Sequence, residues 1–408
     1  MTNGNGGPHG RLGVALAGGV IEGGFYEVGV LCALQDAVEG LDFAALDVYV
    51  GVSAGAVITS LLANGVGPRR LSRAILSLAD PVLNLDPDTL FTPALGEYVR
   101  RVGKLPGSLA RWVRRRLERP LDISLIGMLW ELGELTPVGI FDSAPMERYL
   151  ARAFGTEGRT NDFRTLRPEL RVVAVKLDSA ELVAFGDAAM AHVPISRAVQ
   201  ASIALPGLYC PVQIDGEPYI DGVAKRTLNA SLALDEGVDL LFCVNPIVPV
   251  DLNGARQAGG RARSLVDFGL PSVLSQTFRT MIHSRMGTGF RSYAHQYPDA
   301  DVVLIEPELD DASMFFSNIF SFTNRKQVCE HAYASTRRHL LARADELEDK
   351  LARRGLKLRR DVLADPTRTL FGDDAVRRPA TTAGAVVSDI RDTLDRLDAA
   401  LERLKRAV

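Results

Sequence analysis

Short runs of mostly apolar residues alternate with stretches of helical pattern along much of the chain. Apolar runs of this length are typical of strands buried on both faces, and their alternation with helices is typical of a parallel sheet. The pattern therefore predicts an α/β protein with a three-layer α/β/α fold and a mostly parallel central sheet. The runs are residues 12–17, 46–50, 170–175, 239–244 and 301–306.

A different strand pattern follows the run 170–175. Residues 181–185 are predicted to pair with that run, and residues 212–220 form two short strands around an Asp215-Gly216 turn. An Asp-Gly pair between two strands is a common hairpin signal. A second Asp-Gly pair, Asp221-Gly222, ends the predicted hairpin.

The motif G-x-S-x-G occupies residues 51–55, directly after the run 46–50 and before a helical stretch. A strand, this motif and a helix together form a nucleophile elbow, which holds a serine hydroxyl at the helix N-terminus. The helix dipole and free N–H groups stabilise negative charge there. Ser53 is therefore a candidate nucleophile, and Gly51 and Gly55 leave room for the turn. A small-residue turn without catalytic function is the alternative for this motif alone.

A glycine-rich loop, residues 18–24, follows the first apolar run and precedes a helix predicted from about Phe25 to Val38. Such a loop presents bare N–H groups to an anion. A dinucleotide fingerprint is disfavoured because Val20 stands where the G-x-G-x-x-G spacing requires glycine. An oxyanion hole for a nearby serine fits better, and a plain tight turn is the alternative.

Three features in order resemble the patatin-like phospholipase family: the glycine-rich loop, the G-x-S-x-G motif and the distant Asp221-Gly222 pair. The stretch 201–207, ASIALPG, also resembles that family's approach to its catalytic aspartate. The resemblance covers roughly residues 12–245. It implies a three-layer α/β/α fold that hydrolyses acyl ester bonds in lipids.

The resemblance also implies roles for individual residues. Ser53 would be the nucleophile of a Ser–Asp dyad, and Asp221 the carboxylate that orients it and takes up its proton. The N–H groups of Gly18 and Gly19 would form the oxyanion hole. Gly222 would complete the Asp-Gly motif.

Three residues depart from the family's usual pattern. Val20 replaces the third loop glycine, Glu22 replaces a basic residue, and Val223 follows Asp221-Gly222 where glycine or alanine is usual. A negative charge near a developing oxyanion opposes its stabilisation unless it points away. The alternative to an enzyme is therefore a catalytically impaired, patatin-fold lipid-binding or scaffold protein.

A serine needs an adjacent base to be nucleophilic at neutral pH. The dyad is favoured over a triad because no motif singles out one histidine, and because Ser53 follows only the second strand, early for an α/β-hydrolase. The histidines weighed as triad members are His192, His283, His295, His331 and His339.

Composition narrows the functional classes. The 408 residues carry a net charge of −3, with 47% hydrophobic and 24% charged residues, which does not suggest a nucleic-acid binder. Four scattered cysteines fit buried thiols in a reducing compartment, and neither a metal nor a cofactor is expected. The first residues lack a signal-peptide pattern, and no apolar run is long enough to span a bilayer. We expect a cytoplasmic protein with peripheral contact at the inner membrane surface.

Residues 98–119 are strongly basic, with apolar residues and a tryptophan interleaved. Such a segment suits an anionic membrane surface, with a solvated helix packed on the core as the alternative. The apolar stretch 121–135 is too short to span a bilayer. It is predicted to be a core helix or the wall of an acyl-chain channel.

The C-terminal end carries a coiled-coil pattern. Residues 387–408 repeat apolar positions at alternating steps of three and four, which suits self-association or packing on the body. The predicted domains are a disordered N-terminus and a catalytic core with a basic, partly helical insertion at about 85–135. The N-terminus is 1–10 and the catalytic core 11–245. The continuation of the α/β domain and its cap are 246–345, and the linker with the C-terminal amphipathic helix is 346–408.

Overall fold

The computed structural model describes most of the chain. The described residues are 10–76, 80, 82–103, 107, 133, 136–252, 264–311, 322 and 324–371.

Several predictions fall outside that part of the chain. They are the state of residues 1–9, most of the basic segment 98–119, the stretch 121–135 apart from residue 133, and the coiled-coil pattern of 387–408. The helical segment at residues 95–103 includes the beginning of the basic stretch.

The strands are short and mostly buried, as the apolar runs predict. In chain order they are β1 (Leu12–Leu16), β2 (Val38–Glu39), β3 (Val48–Val52), β4 (Gly139–Phe141), β5 (Glu169–Lys176), β6 (Leu182–Phe185), β7 (Gly207–Tyr209), β8 (Val212–Ile214), β9 (Glu217–Asp221), β10 (Leu240–Val244), β11 (Asp301–Ile305) and β12 (Lys357–Leu358).

Helices follow or precede most of these strands. In chain order they are α1 (Val20–Ala37), α2 (Ala54–Ala63), α3 (Pro68–Leu76), α4 (Pro87–Phe91), α5 (Ala144–Phe154), α6 (Ile195–Ser202), α7 (Ala230–Asp235), α8 (Leu270–Gln296), α9 (Arg325–Ala342), α10 (Ala344–Ala352) and α11 (Arg360–Ala364). Short 3₁₀ turns lie at Phe163–Thr165, Gly222–Ala224 and Leu265–Phe268.

Within the part of the chain that the structure describes, the main sheet has eight strands in the order β11-β10-β1-β3-β5-β9-β8, with β6 also paired to β5. The five strands from β11 to β5 are parallel, whereas β6, β8 and β9 add antiparallel pairs. The Asp215-Gly216 hairpin forms as predicted, and both residues have the positive φ of a tight turn. The sheet is therefore mixed and mostly parallel.

Helices cover both faces of this sheet. One apolar cluster joins the sheet to α1, α2, α5, α6 and α9. A second joins the opposite face to α7, with Met286, Phe290 and Tyr293 of α8 packed against it. These layers confirm the predicted α/β/α fold, and α10 and α11 form part of its C-terminal helical extension.

The structure corrects two predicted boundaries near the candidate site. Helix α1 begins at Val20 instead of Phe25, so most of the predicted loop is helical. Glycine suits position 23 despite its low helix propensity, because a Cβ there would lie only 3.0 Å from Pro246. Strand β3 extends two residues further than predicted, into the G-x-S-x-G motif.

Within the described residues, no helix combines the length and apolarity needed to cross a bilayer. The same part of the chain holds no group of three or more His, Cys, Asp or Glu side chains that could bind a metal ion.

Candidate active site

Ser53 occupies a strained turn between β3 and α2. Its φ of 54° and ψ of −122° lie in a region that non-glycine residues rarely adopt. A Cβ atom at Gly55 would lie 2.6 Å from the carbonyl oxygen of Ala17, and one at Gly51 would overlap the Thr59 hydroxyl. Both glycines are therefore required by close packing, and the turn has the geometry of a nucleophile elbow.

Ser202, the last residue of α6, holds the elbow in place. The Ser53 backbone N–H donates to Ser202 Oγ at 2.8 Å, and that hydroxyl donates to the Val173 carbonyl at 2.6 Å. Ser202 thus ties the strained turn to β5. The sequence placed Ser202 in a stretch resembling the family's but did not reveal this contact, since the two serines lie far apart along the chain.

Asp221 is brought beside the elbow by strand pairing. It is the last residue of β9 and pairs with Ala174 of β5, while the adjacent Val173 pairs with Val52 of β3. Asp221 Oδ1 accepts a hydrogen bond from the Val223 N–H at 2.9 Å. Its Oδ2 has no partner of regular hydrogen-bond geometry among the described residues. One carboxylate oxygen is thereby left to receive a proton.

The environment of Asp221 makes it a stronger base than an ordinary carboxylate. Burial raises its pKa to about 7, although the Ser53 hydroxyl and the Val223 N–H both lower it by hydrogen bonding to the charged form. A base with a pKa near 7 is matched to proton transfer at neutral pH. Glycine is needed at position 222, because a Cβ there would lie 2.6 Å from the Val173 carbonyl oxygen.

The two loop glycines lie at the same edge of the sheet but have different contacts. A Cβ at Gly18 would lie 3.0 Å from Ser53 Cβ and would overlap the Val223 side chain. The Gly18 N–H, however, donates to the Thr227 carbonyl at 3.3 Å, so it would have to release this bond to hold an oxyanion. Gly19 caps α1 and packs closely against Pro246. The Gly18 N–H is thus engaged in this structure, whereas Gly19 lies at the N-terminus of α1.

The residues that depart from the family pattern surround this loop. Val20 has a φ of 56°, so the chain adopts a glycine-like conformation at a β-branched residue. Glu22 lies in the first turn of α1 and is only 3% exposed. Its charge acts on Arg279 of α8 and raises the pKa of that guanidinium, although burial has the larger effect and lowers it. The negative charge of Glu22 therefore interacts with the positive charge of Arg279.

Ser53 opens onto an apolar cavity of about 100 Å³. The apolar character of its lining suits a hydrophobic ligand or acyl chain. Among the described residues, no histidine lines this cavity, and His192 and His331 instead contact Asp215 and Asp311. The lining residues are Val20, Ile21, Gly24, Phe25, Ser53, Ala54, Val57, Ile58, Ile75, Leu85, Leu90, Met146, Ile203, Leu205, Leu208 and Tyr209.

Comparison with solved structures finds low sequence identity. VipD from Legionella pneumophila is 15% identical with a TM-score of 0.35, over 83% of this chain and 68% of VipD. The type III effector protein ExoU is 17% identical with a TM-score of 0.34, over 82% of this chain and 53% of ExoU. Full-length ExoU from Pseudomonas aeruginosa, in complex with SpcU, is 14% identical with a TM-score of 0.27, over 86% and 70% of the two chains.

Comparison with family models gives a more extensive match. The model for patatin-like phospholipases matches residues 14–234, more than half of the chain. That span contains the glycine loop, the elbow at Ser53 and the Asp221-Gly222 pair. The chain belongs to the patatin-like phospholipase family.

Proposed function

We propose that this protein is a serine acyl hydrolase that cleaves carboxylic ester bonds in phospholipids or related lipids, with Ser53 as nucleophile and Asp221 as base. One observation carries the proposal. Ser53 stands at the junction of a buried carboxylate, whose pKa is raised to about 7, and an apolar cavity. A hydrolase of lipid esters needs both features next to its nucleophile.

The reaction follows from these positions. Ser53 Oγ attacks the ester carbonyl carbon while Asp221 takes the hydroxyl proton, and the carbonyl oxygen becomes an oxyanion. Collapse breaks the bond to the alcohol, which leaves with the proton from Asp221. Water then attacks the acyl-serine, gives a proton to Asp221, and releases the fatty acid as the proton returns to Ser53.

The oxyanion forms where two helix N-termini meet. Helices α1 and α2 begin directly after the carboxyl ends of the neighbouring strands β1 and β3. Their first-turn N–H groups lack partners within the helix, and their dipoles favour negative charge. We assign the oxyanion to the Gly19 N–H and the first turn of α2, with Gly18 contributing if its bond to Thr227 opens.

The acyl chain lies in the apolar cavity. Because burial of each CH₂ contributes about 0.8 kcal/mol, kcat/KM is expected to rise about fourfold per added methylene until the cavity is filled. Measuring hydrolysis of soluble p-nitrophenyl esters of increasing chain length checks this. A flat dependence would contradict binding of the chain in the cavity.

Labelling with a fluorophosphonate tests the nucleophile directly. The intact protein is expected to gain one adduct, which peptide mass spectrometry places on Ser53. Ser53→Ala should lose both the adduct and ester hydrolysis. Ser60→Ala, which changes a buried serine in the helix α2 that follows Ser53, should keep both. An adduct that persists in Ser53→Ala would refute the assignment.

The alternative is a patatin-fold protein that binds lipid without hydrolysing it. Two observations favour it: the buried acid Glu22 in the first turn of α1, and the engagement of the Gly18 N–H by Thr227. In that case the intact protein would show no Ser53-dependent adduct but would still take up fatty acid in the cavity. Displacement of a fluorescent fatty acid measures that uptake.

A further inference from the structure

Helix α8 exposes an apolar stripe along its N-terminal half. Leu270, Leu274, Phe278 and Met281 recur at helical spacing, and Leu270 and Phe278 are 69% and 60% exposed. Side chains at steps of three and four lie on one face of a helix. An apolar stripe of this kind on a helix surface marks a place of interaction.

The opposite face of α8 is the one that packs on the protein. Met286, Phe290 and Tyr293 pack against the apolar cluster beneath the sheet. Nearer the N-terminus, Gln276 bonds both the N–H and the carbonyl of Val250, at 3.1 and 2.8 Å. Because α8 already packs on the protein through its other face, the apolar stripe is a second, exposed face of the helix.

The charges of α8 are all of one sign. Its 27 residues contain arginines and histidines but no aspartate or glutamate. Arg285 and Arg291 are exposed. Exposed Leu and Phe side chains next to exposed arginines suit the interface of an anionic bilayer.

The N-terminal half of α8 is connected to the candidate active site through its packing face. Arg279 Nη1 donates to the Val248 carbonyl at 3.2 Å, so Arg279 and Gln276 join α8 to residues 246–250. Pro246, at the start of this segment, packs against Gly19 and Gly23 of the glycine loop. Val20 and Ile21, the next residues of that loop, line the cavity.

We propose that the exposed apolar face of α8, with Val266 of the preceding turn, inserts into the interface of an anionic lipid bilayer and brings the cavity to its substrate. The inference rests on the proposed function, because a lipid hydrolase must reach esters held in a membrane. It names the substrate's physical state: phospholipid in an anionic bilayer rather than a dispersed ester.

The test measures binding and hydrolysis separately. Binding is measured with full-length protein carrying Ser53→Ala, by co-sedimentation with vesicles of phosphatidylcholine alone or mixed with phosphatidylserine. The test variant adds Leu274→Glu and Phe278→Glu. The matched control adds Leu177→Glu and Leu341→Glu, two exposed leucines outside α8. Circular dichroism and thermal unfolding confirm that both variants fold.

We expect the protein to bind the mixed vesicles more strongly than vesicles of phosphatidylcholine alone. Binding to the mixed vesicles should fall by about tenfold or more in the α8 variant and stay unchanged in the control. With Ser53 present, the α8 variant should lose hydrolysis of vesicle phospholipid and keep hydrolysis of a soluble short-chain ester. Equal vesicle binding by variant and control overturns the proposal. The proposal is also overturned if wild-type protein does not bind vesicles but forms a dimer that the α8 substitutions abolish. In that case a second copy of the chain covers the apolar face.

Failure of the proposed function is distinguishable. If wild-type protein hydrolyses no soluble ester, the chemistry is refuted, whereas vesicle binding by the Ser53→Ala protein still decides the role of α8.

Discussion

The elbow and the glycine loop are two versions of the same local structure. Each connects a buried parallel strand to a helix, and β1 and β3 are neighbours in the sheet. Each holds a non-glycine residue at positive φ: Ser53 at 54° and Val20 at 56°. The two turns differ in what the strained residue presents, a hydroxyl in one and an apolar cavity wall in the other.

The difference shows how each strain is supported. A left-handed conformation costs a non-glycine residue roughly 1–2 kcal/mol. At Ser53 a hydrogen bond to Ser202 and two close-packed glycines hold the conformation. At Val20, where the family usually has glycine, the side chain lines the cavity instead.

The charges at the two helix starts differ as well. The first turn of α2 has no acidic residue, whereas that of α1 contains Glu22. Glu22 interacts electrostatically with Arg279 of α8. The glycine loop therefore depends on a helix distant along the chain, whereas the elbow does not. Substitutions in the two turns are therefore expected to have different consequences.

The largest effect is expected at the base that serves the elbow. Asp221→Asn keeps the shape but cannot accept the Ser53 proton, so kcat should fall by about 10³–10⁴-fold. In the wild type, kcat/KM should rise with pH through about 7, the pKa to which burial raises Asp221. Steady-state kinetics from about pH 5 to 9 measure both. Activity in the variant with an unchanged pH profile would exclude Asp221 as the base.

The same substitution should stabilise the fold at high pH. The folded pKa of Asp221, about 7, lies above its ordinary value of 3.8, so its contribution to stability is fully present below about pH 4 and is lost as pH rises through 7. Asp221→Asn removes that loss, which is on the order of 4 kcal/mol. Urea unfolding should show the variant more stable at about pH 8 and little different at about pH 4. A difference independent of pH would contradict the raised pKa.

The next largest effect tests the support of the elbow. Ser202→Ala leaves the buried Ser53 N–H without its acceptor, which costs about 1–3 kcal/mol of unfolding free energy. It should also lower kcat by about tenfold or more, because Ser53 is no longer held in place. The control is Ser196→Ala in the same helix, a buried serine that bonds Glu147 and Asn161 instead. We expect Ser196→Ala to lower stability but leave kcat unchanged. If both variants lower kcat equally, Ser202 has no positioning role.

A fourth prediction concerns the charges near the glycine loop. Arg279→Gln removes a positive charge that acts on Glu22, which should lower kcat by about tenfold while KM changes less. Glu22→Gln alone should have a smaller effect, and the double variant should recover most of the activity, because the two charges act on each other. A double-mutant cycle on kcat measures this coupling. Strictly additive losses would show that Arg279 acts without Glu22.

The smallest effect is expected from relieving the strain in the loop. Val20→Gly should stabilise the fold by up to about 1 kcal/mol, because relief of the positive φ slightly exceeds the entropy that glycine loses. Ala180→Gly, at a φ of 55° on the surface, is the matched control and should stabilise similarly. Only Val20→Gly should change the preferred ester chain length, since Val20 lines the cavity. A loss of stability at Val20 alone would mean that its packing outweighs its strain.

Much of the fold could be predicted from the apolar runs. The predicted strands 12–17, 239–244 and 301–306 agree with β1, β10 and β11 to within one residue at each end. The start of α1 was predicted wrongly because glycines are poor helix formers in isolation. Here a Cβ at Gly23 would lie only 3.0 Å from Pro246, and no local signal reports that contact.

The candidate site divides in the same way. Its chemistry-bearing residues could be named from short motifs and a family resemblance, because Ser53 and Asp221 each lie in a recognisable local pattern. Their assignment as a catalytic pair stays a prediction until the labelling and kinetic experiments are done. Ser202 and Arg279 could not be named, because neither belongs to a motif that indicates its contact.

By itself, the sequence determined the alternation of buried strands and helices and the places where sharp turns interrupt it. The tertiary structure decided which of those turns meet, how deeply Asp221 is buried, and that Glu22 acts electrostatically on Arg279. It also left the apolar stripe of α8 facing outward, where helical spacing alone would predict burial. The reason is physical: a pKa, a charge balance and an exposed face depend on neighbours that are distant along the chain and become adjacent only when the sheet is assembled.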